Sequence, residues 1–368
     1  MKKKDLLVFL LIMASFFAIL SFFSDVRNTF NYAGVDLRNR VVGSRLILQK
    51  LDPYFTKWKE GDSVRLLDPR DNPDWEVNRV TVTPTMLQLF IPLSLLNYSI
   101  IRMIWLFLQW LMLLLTIFLF TKITKYKQAR MLIWICGLFF IGTSYFWRLH
   151  VERGQIYIFY VLIFSLFFYF LAKKKQLSSG ISLGFLIALR PTFILVLIPL
   201  LIKKKWKLTF FSITALLLIV LLTVTFTNWE VWNSYFRAMN IHAQIHLDTV
   251  QSPSTYYPYI NIEGVGNLFS LANIPINDTS IQYLFRSIGI TLNSNNMKII
   301  FFIFIFVTSS LIYKFRTKID EYKMIIIASL LVILSEFFIP AARYSYNNVT
   351  FLIPMSLIIL DFDKYQRK

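Results

Sequence analysis

The chain has 368 residues, of which 56% are hydrophobic and 36 are phenylalanine, and it carries a net charge of +19. That balance excludes a soluble globular domain, and apolar runs that are continuous and not alternating exclude a β-barrel. The single cysteine, Cys136, lies in an apolar run and excludes intrachain disulfides and cysteine-rich metal sites.

The sequence opens on MKKKDLLVFLLIMASFFAIL. The apolar run over residues 6–23 is too long for a signal-peptide core and has no A-x-A-like cleavage site. It reads as an uncleaved first span with its lysines in the cytoplasm. Residues 24–97 follow as a long outer loop. Asp36 opens a basic stretch in which Leu37, Val41, Ser44 and Leu48 fall on one line, with Arg38, Arg45 and Lys50 on other faces. This pattern predicts a helix over 37–50 lying in the membrane interface. LDPY ends it, with Asp52 as a turn residue before Pro53. DPRDNPDWEVN reads as irregular, and TPTMLQLFIPLSLLN as a second interfacial segment.

Further spans are predicted over 99–120, 131–147, 156–171, 208–226, 297–313, 324–340 and 349–360. The segment 177–202 has lysines on both flanks and is too short for two crossings at about 20 residues each. Pro191 breaks it beside Arg190, so it reads as a short hairpin with a polar tip. The expectation is an all-α, polytopic integral membrane protein of about ten transmembrane helices, one membrane-embedded domain over 1–368. Its second long outer loop covers 227–296. Lysine-rich connectors at 122–130, 173–175, 203–207 and 314–323 and at the C-terminus hold most of the positive charge. The positive-inside rule sets them and both termini in the cytoplasm. The charge then reflects topology and lipid headgroups, not nucleic acid.

Basic residues on the outer side are mostly arginine, whose fork suits phosphate oxygens. FWRLHVERGQIYIF brings Arg148, His150, Glu152, Arg153 and Gln155 to the outer ends of two spans. His242 and His246 have zinc-ligand spacing, but no third ligand is evident, so no metal is expected. IPAARYSYNN sets Arg343 at the last outer turn.

An acid just after the first span, a basic amphipathic helix, LDPY, TPTMLQLFIPLSLL, the Gly-Gln pair of ERGQIYIF and the glycine-rich SGISLGFLIALRPTF occur in that order. Together they resemble the GT-C fold glycosyltransferases. The likeness is closest to family 87, the polyprenol-phosphate-mannose-dependent mannosyltransferase group, and runs from about residue 30 to 207. Tyr157 stands where that family often has asparagine, and Tyr344, Tyr346 and Asn347 stand where its last outer turn often has histidine.

The resemblance implies a GT-C-like fold and a hexosyltransferase. Mannose or another hexose would pass from a polyprenyl-phosphate donor to a lipid-linked or glycan acceptor at the outer face of the membrane, and the Phe-, Ile-, Asn- and Lys-rich usage points to a prokaryotic cytoplasmic membrane. The chemistry requires no metal or other cofactor. Asp36 would be the general base, and Arg153, Gln155, Arg190 and Arg343, with Arg148 and His150 behind them, would bind substrate. A polysaccharide polymerase or ligase, and a transporter of lipid-linked glycans, are the alternatives. The absence of an internal repeat and the one-sided polar residues weigh against the transporter.

Overall fold

The computed structural model describes residues 3–32, 34–247, 263, 278–341 and 343–365. The tyrosine-rich stretch near 256–259 and the GVGNLFS sequence lie outside the described residues. In chain order the helices are α1 (Lys3–Asn31), α2 (Val35–Leu48), α3 (Pro84–Ser94), α4 (Tyr98–Thr121), α5 (Lys127–Ile135), α6 (Tyr145–Arg153), α7 (Tyr157–Ala172) and α8 (Gln176–Leu189). They continue as α9 (Leu197–Ile202), α10 (Trp206–Thr227), α11 (Trp229–Leu247), α12 (Ile281–Ser287), α13 (Ser294–Lys314), α14 (Glu321–Ser335) and α15 (Leu352–Tyr365). Every regular element among the described residues is helical, as the continuous apolar runs demanded.

Four helices, α1, α4, α10 and α13, are long and apolar enough to cross a membrane; a fifth span results if α5, a π-helical turn and α6, bent by 67°, count as one. The sequence predicted about ten. Further apolar helices are shorter, Tyr157–Ala172 and Gln176–Leu189 among them, and some segments are cut into pieces. A π turn over Cys136–Ile141 interrupts one. Arg190, extended at φ −140°, ends α8 before a 3-10 turn over Pro191–Val196. The outward surfaces of α10 and α13 are apolar, with Phe226 75% and Phe306 73% exposed, which suits helices facing lipid and not water.

Close packing is set by small residues. Gly180 and Gly184 of α8, one turn apart, lie so near α10 that a Cβ at either would collide with Phe211 or Ser212. The same α8 ends beside α3, where the Thr83 hydroxyl caps α3 and donates to the Ala188 carbonyl at 3.0 Å.

The predicted helix after Asp36 exists as α2, but it does not lie exposed in an interface. Twelve of its residues, Val35 through Leu46, are buried, including Arg38, Arg40 and Arg45. The arginines face backbone carbonyls. Arg45 donates to Ser94 and Leu96 at 2.9 Å each, satisfying carbonyls at the C-terminal end of α3. Arg38 donates to Leu67 at 2.8 Å and Val64 at 2.7 Å, fixing the loop above. Glu263 closes this cluster, pairing with Arg38, Arg45 and Arg65. An amphipathic pattern cannot distinguish a lipid-facing basic stripe from one that ties loops together, and here the loops take it.

Candidate functional site

The site forms where α2 begins and α6 ends. Two glycines in the left-handed region allow it. Gly34, φ +61°, precedes α2, and any Cβ there would meet the Arg102 guanidinium. Gly154, φ +68°, ends α6, and a Cβ would come within 2.5 Å of Leu37 Cβ. Only glycine takes both the angle and the contact. Gly154 therefore turns the chain so that Arg153 before it and Gln155 after it both reach the first turn of α2.

There they meet Asp36, which is 6% exposed. Arg153 binds it through both donors of its fork: Nε to Oδ2, and Nη2 to Oδ1 at 3.0 Å. Gln155 Nε2 donates to Oδ2 at 2.6 Å. Arg79, from the loop, stands 3.4 Å from Oδ1 and the same distance from Asp68. Arg40, one helical turn beyond Asp36, donates to the Gly154 carbonyl at 2.9 Å and to Gln155 Oε1 at 2.8 Å. Burial pushes the Asp36 carboxyl up, but the guanidiniums of Arg153 and Arg79 outweigh it and hold the group at about 2. Burial, with Arg79 and Arg153 close by, lowers Arg70 to about 10. Guanidiniums outnumber carboxylates around Asp36, which makes this a setting for an anionic ligand.

A wall of tyrosines leads away from this group. The Arg153 guanidinium lies 5.6 Å from the Tyr346 ring centre. Tyr346 lies 6.0 Å from Tyr157, and Arg190 sits 5.4 Å over Tyr157. Arg190 then pairs with Glu336, just past α14, at 2.9 Å. The site thus has an arginine–carboxylate pair at each end of a tyrosine wall. At the far end Arg190 Nε, Glu336 Oε2 and Arg343 Nε are buried without a hydrogen-bond partner among the described residues. Clustered unsatisfied groups of this kind mark a place where a polar ligand can bind.

Of the residues singled out from sequence, the structure joins Asp36, Arg153 and Gln155 directly and links Arg190 to them through Tyr346 and Tyr157. Arg343 lies near the far end, but its terminal nitrogens are taken by Thr279 at 3.2 Å and Asn348 at 3.1 Å. His150 is not in the site. It is fully buried, stacked on Trp147, and its Nε2 accepts from the Ile158 N–H at 3.2 Å, which requires the neutral ring. It holds the turn that carries Gln155. Arg148 points to α1, within 2.9 Å of the Asn28 amide oxygen once that amide is oriented to accept. Asp52 accepts from Tyr54 N–H at 2.8 Å, the turn role expected of it. His242 contacts the Asn78 carbonyl and His246 contacts Asp278, on different elements.

Sequence reasoning missed Arg40, Arg79 and Glu336. Arg40 had a signal: it is four residues after Asp36, on the same helical face. Arg79 and Glu336 had none, because their partners are 43 and 146 residues away.

Fold and site together define a polytopic helical membrane protein with a buried carboxylate in an arginine-rich polar site. The sequence pattern of glycosyltransferase family 87 matches residues 81–278, more than half of the chain. The chain belongs to that family and is a glycosyltransferase. The match takes in Arg153, Gln155 and Arg190; Asp36 and Glu336 lie outside it. No curated protein and no solved structure matches the chain.

Proposed function

We propose that the enzyme transfers a hexose, such as mannose, from a polyprenyl-phosphate donor to a lipid-linked or glycan acceptor at the outer face of a prokaryotic cytoplasmic membrane. Asp36 takes the proton of the attacking acceptor hydroxyl. The acceptor oxygen bonds to the anomeric carbon with inversion, the bond from that carbon to the phosphate oxygen breaks, and polyprenyl phosphate leaves with the electron pair. Arg153 and Arg190 face the phosphate charge, Gln155 orients the base, and the Tyr157–Tyr346 wall lies along the sugar. Arg343 supports the phosphate end from behind. No metal takes part in this scheme.

The observation that carries the reading is the buried carboxylate Asp36, set among arginines at one end of a tyrosine wall whose other end is also arginine-rich. A base and a cationic leaving-group site within one polar strip suit glycosyl transfer from a phosphate. The orientation rests on the lysines. α4, α7 and α8 each have the site at one end and Lys122, Lys173 and Lys175 at the other, so the positive-inside rule turns the site outward.

The test is sugar transfer by membranes holding wild type or Asp36→Asn at equal expression. Both receive radiolabelled polyprenyl-phosphate mannose and a lipid extract. We expect Asp36→Asn to lose about 10²–10⁴-fold. Equal transfer by both would end the role given to Asp36.

A further inference from the structure

Asp36, as it stands, cannot receive a proton from an acceptor. Oδ1 accepts from Arg153 Nη2 and faces Arg79, and Oδ2 accepts from Gln155 and Arg153 Nε. Both oxygens carry two donors or cations, and a general base needs one oxygen within hydrogen-bond reach of the hydroxyl. One partner has to leave.

The three partners differ in how they are tied. Gln155 is fixed from behind by Arg40, which holds its amide oxygen at 2.8 Å. Arg79 is shared with Asp68. Arg153 has no second carboxylate among the described residues; its other neighbour is the face of Tyr346. It also occupies more of Asp36 than the others, since its fork spans both oxygens. Arg153 is the partner free to swing, and the Tyr346 ring lies on the side toward which the tyrosine wall runs.

We infer that Arg153 is shared between the base and the donor: its fork closes on Asp36 in the empty enzyme and transfers to the donor phosphate when the donor enters. This rests on the lipid-phosphate reading above. A phosphate offers the same two-oxygen geometry to the fork as a carboxylate does. Donor entry thereby frees one face of Asp36 and removes the charge that most suppresses its basicity. The base is then competent only when there is a sugar to transfer. After transfer the acceptor proton sits on Asp36, which as a neutral acid no longer competes for Arg153, so the fork stays on the polyprenyl phosphate. Loss of that proton to solvent restores the carboxylate, which recaptures Arg153 and expels the product.

Competition for one guanidinium makes a prediction of unusual sign. Removing the charge of Asp36 abolishes transfer yet strengthens phosphate binding. Geranyl phosphate, a short polyprenyl phosphate, would be titrated into the purified full-length protein in nanodiscs by calorimetry, with geraniol as the control. Asp36→Asn is expected to bind it at least about tenfold more tightly than wild type, the low end for close charge pairs. The gain should vanish when Arg153→Gln is added and persist when Arg79→Gln is added. Arg153→Lys, which keeps the charge but not the fork, serves if the glutamine variant does not fold, and should lose most of the gain. Unchanged or weaker binding by Asp36→Asn, or a gain that survives loss of Arg153, overturns the sharing of Arg153 and leaves the donor assignment standing. If no variant binds geranyl phosphate better than geraniol, the lipid-phosphate donor falls and this inference falls with it.

Discussion

Gln155 has one orientation open to it: its amide oxygen faces Arg40 Nη2 and its nitrogen faces Asp36 Oδ2. Reversing the amide would set oxygen against carboxylate and NH₂ against guanidinium. The residue therefore relays the fixed position of Arg40 to the carboxylate without carrying charge itself. Gln155→Leu leaves Asp36 and Arg40 each short of a partner. Hydrogen bonds to charged groups are worth about 1.5–3 kcal/mol, so initial transfer rates at saturating donor should fall about 10- to 100-fold while the purified protein still folds. A variant that transfers as fast as wild type would show that Asp36 does not depend on the relay. At this scale the sequence showed the residues adjacent to span ends, Asp36, Arg153 and Gln155. It misplaced His150, because nothing local reveals that Gln109 and the Ile158 N–H enclose that ring. Glu336 falls inside the span predicted over 324–340, and only the fold brings Arg190 to it.

Among the elements, α2 and α6 depend on each other through Gly154. Its φ of +68° costs a side chain strain, and its neighbour Leu37 leaves no room for one. Gly61 has φ +98° but open space around it, so it isolates the backbone contribution. Gly61→Ala should cost only the conformational part, about 1 kcal/mol. Gly154→Ala adds displacement of α2 against a packed core, bringing the total to roughly 2–4 kcal/mol. Thermal melts of the detergent-solubilised proteins check the difference, and the Gly154 variant should also lose transfer because Asp36 moves with α2. Equal melting points for the two variants would mean that α2 yields without cost. The helix itself was legible from its spacing and from the break at LDPY. Its burial was not, since Arg38 and Arg45 satisfy carbonyls from loops whose course no periodicity encodes.

Across the whole molecule, the two long segments that the sequence separates by more than a hundred residues pack against one another. The Tyr54 and Tyr235 rings lie 5.7 Å apart, Arg237 pairs with Glu76, and His242 Nε2 lies 2.8 Å from the Asn78 carbonyl. That contact joins α11 to the loop carrying Arg79, and so to Asp36. It also makes the assembly sensitive to acid in two separate steps. Burial lowers His242 to about 4, assisted by Arg79 and Lys57 and opposed by its bond to Asn78. The folded value is below the ordinary 6.5, so the neutral ring contributes stability that is whole above about pH 6.5 and is lost as pH falls toward 4. Asp36, at about 2 against an ordinary 3.8, contributes stability that is whole above about pH 4 and is lost as pH falls toward 2. Each step is on the order of 2–3.5 kcal/mol at most, enough to move a melting point by several degrees. Burial raises Asp71 to about 6, so its contribution grows as pH falls from about 6 to 4 and opposes that of His242; the two steps are therefore read as differences between wild type and variant in melting series from pH 8 to pH 2.5. His242→Gln, whose amide can still donate to Asn78, should gain on wild type as pH falls from about 6.5 toward 4, and Asp36→Asn should gain on it only as pH falls from about 4 toward 2.5. A difference between wild type and His242→Gln that stays constant from pH 6.5 to pH 4 would show that α11 is not held to the loop through its neutral histidine.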